Sequence, residues 1–227
     1  MKFFELAHSV NPQIIGNEYP QIQKMYYDET QNYLHPNYFK NFDFFGYHSF
    51  DFDPIFDTFL LKNKAKFTDL ISNVYFSRPF TISAKSLDIF QNHLIDNSKS
   101  HLIKVKKGNK IFDYYCFYIF GNSWESLSLE NTLFYAEKDE PETDVPRRYV
   151  KIDNIEQVND WAKWNSRYPN LEIEEAIYKK SLKKSDLFIG TGSSYFVSEK
   201  LKNSLLENGV TGFDFEEVHL KFEDMVR

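Results

Sequence analysis

Cysteine is almost absent from this chain: Cys116 is the single one, so no internal disulfide can form. It sits inside the strand-like run Tyr114 to Phe120, where the expected state is a buried, inert thiol in a reducing compartment. No run of 18 apolar residues occurs, and Glu5 and His8 interrupt the start where a signal peptide needs its apolar stretch. The expectation is a cytoplasmic protein that neither spans nor anchors to a membrane. His8, His35, His48, His93, His101 and His219 are scattered, and neither His-Glu-x-x-His nor Cys-x-x-Cys occurs, so no metal site and no cofactor are expected. A net charge of −6 argues against nucleic acid as the main ligand, because phosphate binding needs clustered Lys and Arg. The same mild acidity serves plain solubility or attraction of a basic partner.

What the chain does have is aromatic mass. Among its 227 residues are 23 Phe and 15 Tyr, and 42% are hydrophobic, enough apolar area for an independent core. Length allows one large domain or two small ones. The reading is a single α+β domain over 1–227, with 1–66 as a less regular N-terminal portion dense in Phe, Tyr, Asn and Asp.

Lys2 to His8 alternates as a first strand, after which Asn11-Pro12, Gly16-Asn17 and Tyr19-Pro20 punctuate an irregular stretch. Phe50 to Asp53 alternates rings and carboxylates, which predicts a short strand ended by Pro54. Between Val105 and Phe120 the Gly108-Asn109 pair separates two β-rich runs, a hairpin signal. Both alternate faces of the run from Ile111 to Phe120 are largely apolar, as in a central strand covered on both sides, with helices as the expected cover. Glu137 to Arg148 is polar and reads as a surface loop. Ile155, Val158, Trp161 and Ala162 share a helical stripe that Asp153 or Asn154 can cap. Leu171 to Leu182 fits a helix or a short strand and loop equally well.

Two segments, 67–120 and 184–220, share an order of parts. Asp69-Leu70-Ile71 precedes Ile82-Ser83-Ala84-Lys85, and Asp186-Leu187-Phe188 precedes Val197-Ser198-Glu199-Lys200. Each serine ends a β-branched run and opens an amphipathic stretch, so Ser83 and Ser198 are N-caps. Ile82 can staple onto Leu87; Leu87, Phe90 and Leu94 form the expected buried stripe of the first helix, with Leu201 and Leu205 in that role in the second. The second helix should end at Asn208-Gly209, ahead of a strand from Phe213 to Leu220. Internal duplication and chance recurrence of a common Ser cap both account for the pattern. The fold class is α+β, a mixed and largely antiparallel sheet with capped helices packed on it.

Ser185 to Phe188, Tyr195 to Lys202 and Gly209 to Val218 carry a further reading. Their Asp-x-Phe strand, Val-Ser-Glu helix start and Gly-x-x-Gly-Phe-x-Phe-Glu strand resemble the immunity-protein family of bacterial polymorphic toxin systems, long filed as a domain of unknown function. Phe80 to Lys85 and the Tyr114-Tyr115 strand resemble the family's middle section. Residues 9–66 match nothing in it, and Ala136 to Asn170 is longer and more polar than its pattern. The resemblance implies a toxin-neutralising protein that binds its cognate toxin tightly and stoichiometrically, and it carries over no catalytic residue.

Glu137, Asp139, Glu140, Glu142 and Asp144 form an acidic segment suited to a basic groove on that toxin, although a solvated loop would look the same. Two alternatives come from other classes. Asp51, Asp53 and Asp57 could hold a divalent cation in an enzyme, against the plainer reading of a carboxylate edge on an amphipathic strand. Trp124, Trp161 and Trp164 with the many tyrosines could line a carbohydrate-stacking surface, against the plainer reading of core filling. Gly190-Thr191-Gly192-Ser193-Ser194 lacks the Gly-Lys-Ser/Thr of a phosphate loop and runs into a strand-like segment, so it reads as a turn. Ser123 and Ser198 lack a nucleophile-elbow context.

Overall fold

A computed structural model describes residues 1–26, 34–42, 49–121, 123–137, 148–164 and 170–226. In chain order the elements begin with β1 (Phe3–His8), α1 (Pro12–Ile15), β2 (Ile22–Tyr26), β3 (Thr58–Leu61), β4 (Leu70–Ile71), β5 (Phe80–Ile82) and α2 (Ala84–Gln91). The long pair β6 (Ser98–Lys107) and β7 (Lys110–Ile119) follows, then β8 (Leu133–Glu137), β9 (Arg148–Val150), α3 (Ile155–Asn159) and α4 (Trp161–Trp164). The rest are β10 (Asn170–Glu175), β11 (Ile177–Tyr178), β12 (Leu187–Ile189), β13 (Tyr195–Ser198), α5 (Glu199–Glu207), β14 (Phe213–Val218) and β15 (Lys221–Phe222). The class is α+β. The strands form a six-stranded sheet β2-β3-β6-β7-β5-β4, a four-stranded sheet β12-β13-β1-β14, a three-stranded sheet β10-β8-β9 and the pair β11-β15.

The two repeated segments build the same arrangement. β4 and β5 pair antiparallel, α2 leaves β5 and leads to β6, and β7 lies antiparallel between β5 and β6. β12 and β13 likewise pair antiparallel, α5 leaves β13 and leads to β14, and the strand between β13 and β14 is β1. The central slot is therefore filled locally in the first unit, by the β6–β7 hairpin, and from the opposite end of the sequence in the second. The hairpin turns at Gly108-Asn109 between Lys107 and Lys110, with Gly108 supplying the positive φ of +57° that the first turn position demands.

One carboxylate in each unit explains why the local pattern recurs. Ser83 caps α2 by accepting from the Ser86 amide at 3.2 Å, and its hydroxyl donates to Asp69 Oδ1 at 2.7 Å. Ser198 caps α5 by accepting from the Leu201 amide at 3.1 Å and donates to Asp186 Oδ1 at 2.6 Å. The second oxygen of each aspartate reaches the other unit. Asp69 Oδ2 accepts from the Thr211 amide at 2.9 Å, just after α5, and Asp186 Oδ2 accepts from the Leu94 amide at 3.0 Å, just after α2. Gly212 follows directly and presses on the first unit; a Cβ there would lie 2.2 Å from the Leu70 carbonyl oxygen, so only glycine fits.

Three cores result. The first lies where the units meet: Leu87 and Phe90 of α2 and Leu201 and Leu205 of α5 pack with Ile82, Phe117, Leu6, Val197 and Phe213. The Ile82–Leu87 staple belongs to it. Leu94 does not, because α2 stops at Gln91 and leaves Leu94 51% exposed. The second core lies on the other face of the six-stranded sheet, where Tyr114, Cys116 and Tyr118 of β7 meet Tyr38, Phe39 and Phe59. β7 is thus covered on both faces, as its apolar run predicts, yet helix covers only one; irregular aromatic chain covers the other. The third core joins Phe3, Phe188 and Phe196, on the far face of the four-stranded sheet, to Leu127, Phe134, Ile152 and Val158.

Other elements differ from expectation. Phe50 to Asp53 forms bends rather than a strand, because Phe50 and Phe52 pack on Phe42 instead of pairing their backbone. Leu171 to Leu182 divides into β10, β11 and the start of a 3-10 turn over Lys180–Lys184. Glu137 and Arg148, at the ends of the expected loop, close β8 and open β9. α3 is capped by Asn154, whose side chain accepts from the Gln157 amide. Residues 1–66 complete both large sheets through β1, β2 and β3.

Burial alone would raise the Asp186 carboxyl, but Ser198, the Leu94 amide and Lys200 outweigh it and hold its pKa below the ordinary value. Removing the cap hydroxyl leaves a buried carboxylate oxygen without that donor. Ser198→Ala should therefore cost about 2–3 kcal/mol in urea unfolding, and Ser83→Ala, beside the more exposed Asp69, about 1–2 kcal/mol. At the end of β1 burial lowers the pKa of His8 to about 4 against an ordinary 6.5, with Nε2 shielded and without a hydrogen-bond partner. The unfolded chain takes up this proton first as pH falls, so the His8 contribution to stability should drop between pH 6.5 and about 4 and level off below, where loss through the lowered Asp186 carboxyl takes over. The His8 loss should total roughly 3 kcal/mol, and His8→Leu should flatten that part of the stability profile.

Candidate functional site

Glu137, the first residue of the acidic segment, ends β8 in the three-stranded sheet β10-β8-β9, and the alternation of that sheet decides what surrounds it. Along β10, Leu171 and Ile173 turn inward while Asn170, Glu172 and Glu174 are exposed. Across the strands Ile173 lies beside Phe134 and Phe134 beside Val150, and all three pack on the third core. One residue on, Glu172 lies beside Tyr135 and Tyr135 beside Tyr149, so this row faces outward. A register shift between Ile173 and Glu175 places Glu174 in a bulge, while Glu175 pairs with Lys221.

The outer face therefore interleaves carboxylates with apolar surface: Glu137, Glu172 and Glu174 among Leu133, Tyr135 and the 53%-exposed Tyr149. Tyrosine presents large contact area at low entropic cost, and carboxylates at the rim steer an oppositely charged partner. Of the sequence-predicted contact residues, Glu137 stands on this face, and Asp139, Glu140, Glu142 and Asp144 lie outside the described residues. Glu172, Glu174 and the two tyrosines escape a search for acidic runs; the alternation over 170–175 is the signal that finds the glutamates, and the tyrosines join them only through strand pairing.

The aspartates weighed as a cation site are not brought together. Asp57 is buried and accepts from the Tyr38 hydroxyl at 2.6 Å, whereas Asp51 and Asp53 are exposed. Asp53 faces His101 Nδ1 at 3.4 Å, and burial keeps the His101 pKa below its ordinary value despite that carboxylate. Among the described residues no group of three or more His, Cys, Asp or Glu side chains is placed to hold a metal ion.

The remaining candidates have structural work. The Gly190 amide donates to the Ser194 carbonyl, and Ser194 Oγ donates to Glu5 at 2.6 Å, so the Gly-Thr-Gly run closes on itself as a turn. Cys116 is fully buried, which pushes its thiol pKa well up and keeps it protonated. Ser198 is occupied as a cap. Trp124 packs against Phe134, and Trp161 joins the same core. Two open hollows, of about 410 and 400 Å³, share Glu125 and Lys179 in their walls. No helix among the described residues is long and apolar enough to cross a membrane.

Comparison with protein-family models, curated proteins and solved structures finds no match to this chain.

The different surroundings of the three aspartates predict different costs. Asp57→Ala removes the buried bond to Tyr38 and should lower the unfolding free energy by about 1–3 kcal/mol, whereas Asp51→Ala and Asp53→Ala should stay within about 0.5 kcal/mol of the parent in the same urea titration.

Proposed function

We propose that this chain is an immunity protein that neutralises a cognate bacterial toxin in the cytosol by tight stoichiometric binding, without catalysis. Support comes from the resemblance carried by Ser185 to Phe188, Tyr195 to Lys202 and Gly209 to Val218. Residues within those runs act here as cap, turn and strand: Ser198 caps α5, Gly209 turns the chain after it with a φ of 63°, and Phe213 opens β14. A scaffold of this kind leaves recognition to its outer surface.

The observation that carries the reading is the outer face of β10-β8-β9. It places Glu172 beside Tyr135 and Tyr135 beside Tyr149, with Glu174 exposed at the bulge, on the same strand pair as Glu137, the start of the acidic segment. The toxin it fits has a basic groove. Carboxylates there accelerate encounter, and the tyrosine and leucine surface supplies the contact that slows dissociation.

Co-expression with the toxin encoded by the neighbouring gene should restore growth, and the purified pair should form a 1:1 complex. Glu172→Lys combined with Glu174→Lys should slow association roughly tenfold or more at low salt, with little effect at high salt. Absence of both rescue and complex would sink the proposal.

A further inference from the structure

The six-stranded sheet carries a surface opposite in sign to the chain as a whole. Over residues 22–26, 58–66 and 102–113 there are eight lysines and one carboxylate, Asp113, in a protein of net charge −6. Strand register sorts these residues between the two faces. Phe59 and Val105 lie side by side and enter the second core, so their neighbours Leu60 and Lys106 lie side by side on the opposite face. Lys24 pairs with Leu60, and Lys106 with Ile111. The row Lys24, Leu60, Lys106 and Ile111 thus runs abreast across four strands.

Leu102 and Lys104 extend this row along β6, with Leu102 51% and Ile111 57% exposed. α2 covers the sheet near Phe117 and Ile119, at the far end of β7, and leaves this end open. Lys104 pairs with Asp113, and Lys106 lies 4.8 Å from the centre of the Tyr26 ring.

The chemistry of this face selects a protein partner. Its cations are all lysines, its spaces are filled by Leu60, Leu102 and Ile111, and its aromatic ring, Tyr26, lies under an ammonium rather than open for base stacking. Aliphatic side chains set between cations add nothing to phosphate binding, but they match a surface in which carboxylates alternate with apolar groups. The same chain presents such a surface on the outer side of β10-β8-β9. Three strands abreast there and four here give patches of comparable width, roughly 10–15 Å at the ~4.8 Å strand spacing.

We propose that the lysine and leucine face of β2-β3-β6-β7 docks the acidic, tyrosine-bearing face of β10-β8-β9 from a second copy of this chain. The contact is heterologous, each copy offering a different face to each neighbour, so it propagates head to tail instead of stopping at a two-fold dimer. The inference does not rest on the toxin reading, since the test requires this protein alone.

Sedimentation velocity of the full chain decides it. In about 20 mM salt the weight-average mass should rise with protein concentration, and in about 500 mM salt it should return to the monomer. Lys104→Glu with Lys106→Glu, and separately Glu172→Lys with Glu174→Lys, should each sediment as monomers, while Lys184→Glu, away from both faces, should behave as the parent. An equimolar mixture of the two neutral double variants, Lys104→Gln with Lys106→Gln and Glu172→Gln with Glu174→Gln, retains one intact face of each kind and recreates no charge pair between the altered faces, so it should form a 1:1 dimer and grow no further. A monomeric parent at every concentration in low salt, association that survives either double variant, or a mixture that stays monomeric or grows beyond a dimer would each overturn the proposal. Where a reversed pair lowers the unfolding midpoint, Lys104→Gln with Lys106→Gln or Glu172→Gln with Glu174→Gln replaces it, and association of that variant equal to the parent's overturns the proposal just as firmly.

Discussion

Asp69 and Asp186 hold this fold together because each carboxylate binds in two directions. One oxygen fixes the serine that caps its own helix, and the other takes an amide from the loop after the opposite helix. Hydrogen bonds to a charged acceptor are about twice as strong as neutral ones, and the Asp186–Ser198 bond is in addition buried. The start of each helix is thereby tied to the end of the other, which sets how α2 and α5 lie over their shared core.

Around that junction the two units diverge. The first extends its sheet with the long β6–β7 hairpin and covers the outer face with aromatic chain from 38–42 and 50–76; the second borrows β1 and covers its outer face with the three-stranded sheet and α3. Two surfaces of opposite sign follow, one on the extended sheet and one on the added sheet. The acidic surface arises outside the repeated units, and the basic one where β6 and β7 run on beyond the cover of α2.

Local signals were legible in the sequence where they required no distant partner. Gly108-Asn109 marks the hairpin, Ser83 and Ser198 mark helix starts, and Asn208-Gly209 marks a helix end. The aspartates that precede each unit are visible as a repeat, but their second bond is not, since Thr211 lies 142 residues from Asp69 and Leu94 lies 92 from Asp186. Phe50 to Asp53 misleads because alternation records which side chains are buried, not whether the backbone pairs. The glutamates of the outer face alternate along β10, but the segment Leu171 to Leu182 fits a helix as well as a strand, so the face itself was not legible there. Its union with β8 and β9 depends on a pairing that no short-range pattern encodes.

The position of β1 has a consequence for biosynthesis. Residues 3–8 are made well before their two hydrogen-bonding neighbours, at 195–198 and 213–218. Until those strands are synthesised this segment has both edges unsatisfied, while the first unit, whose central strand is local, can already close. The nascent protein therefore carries an open templating edge until residues 213–218 arrive, a window in which a holding chaperone has a defined six-residue target.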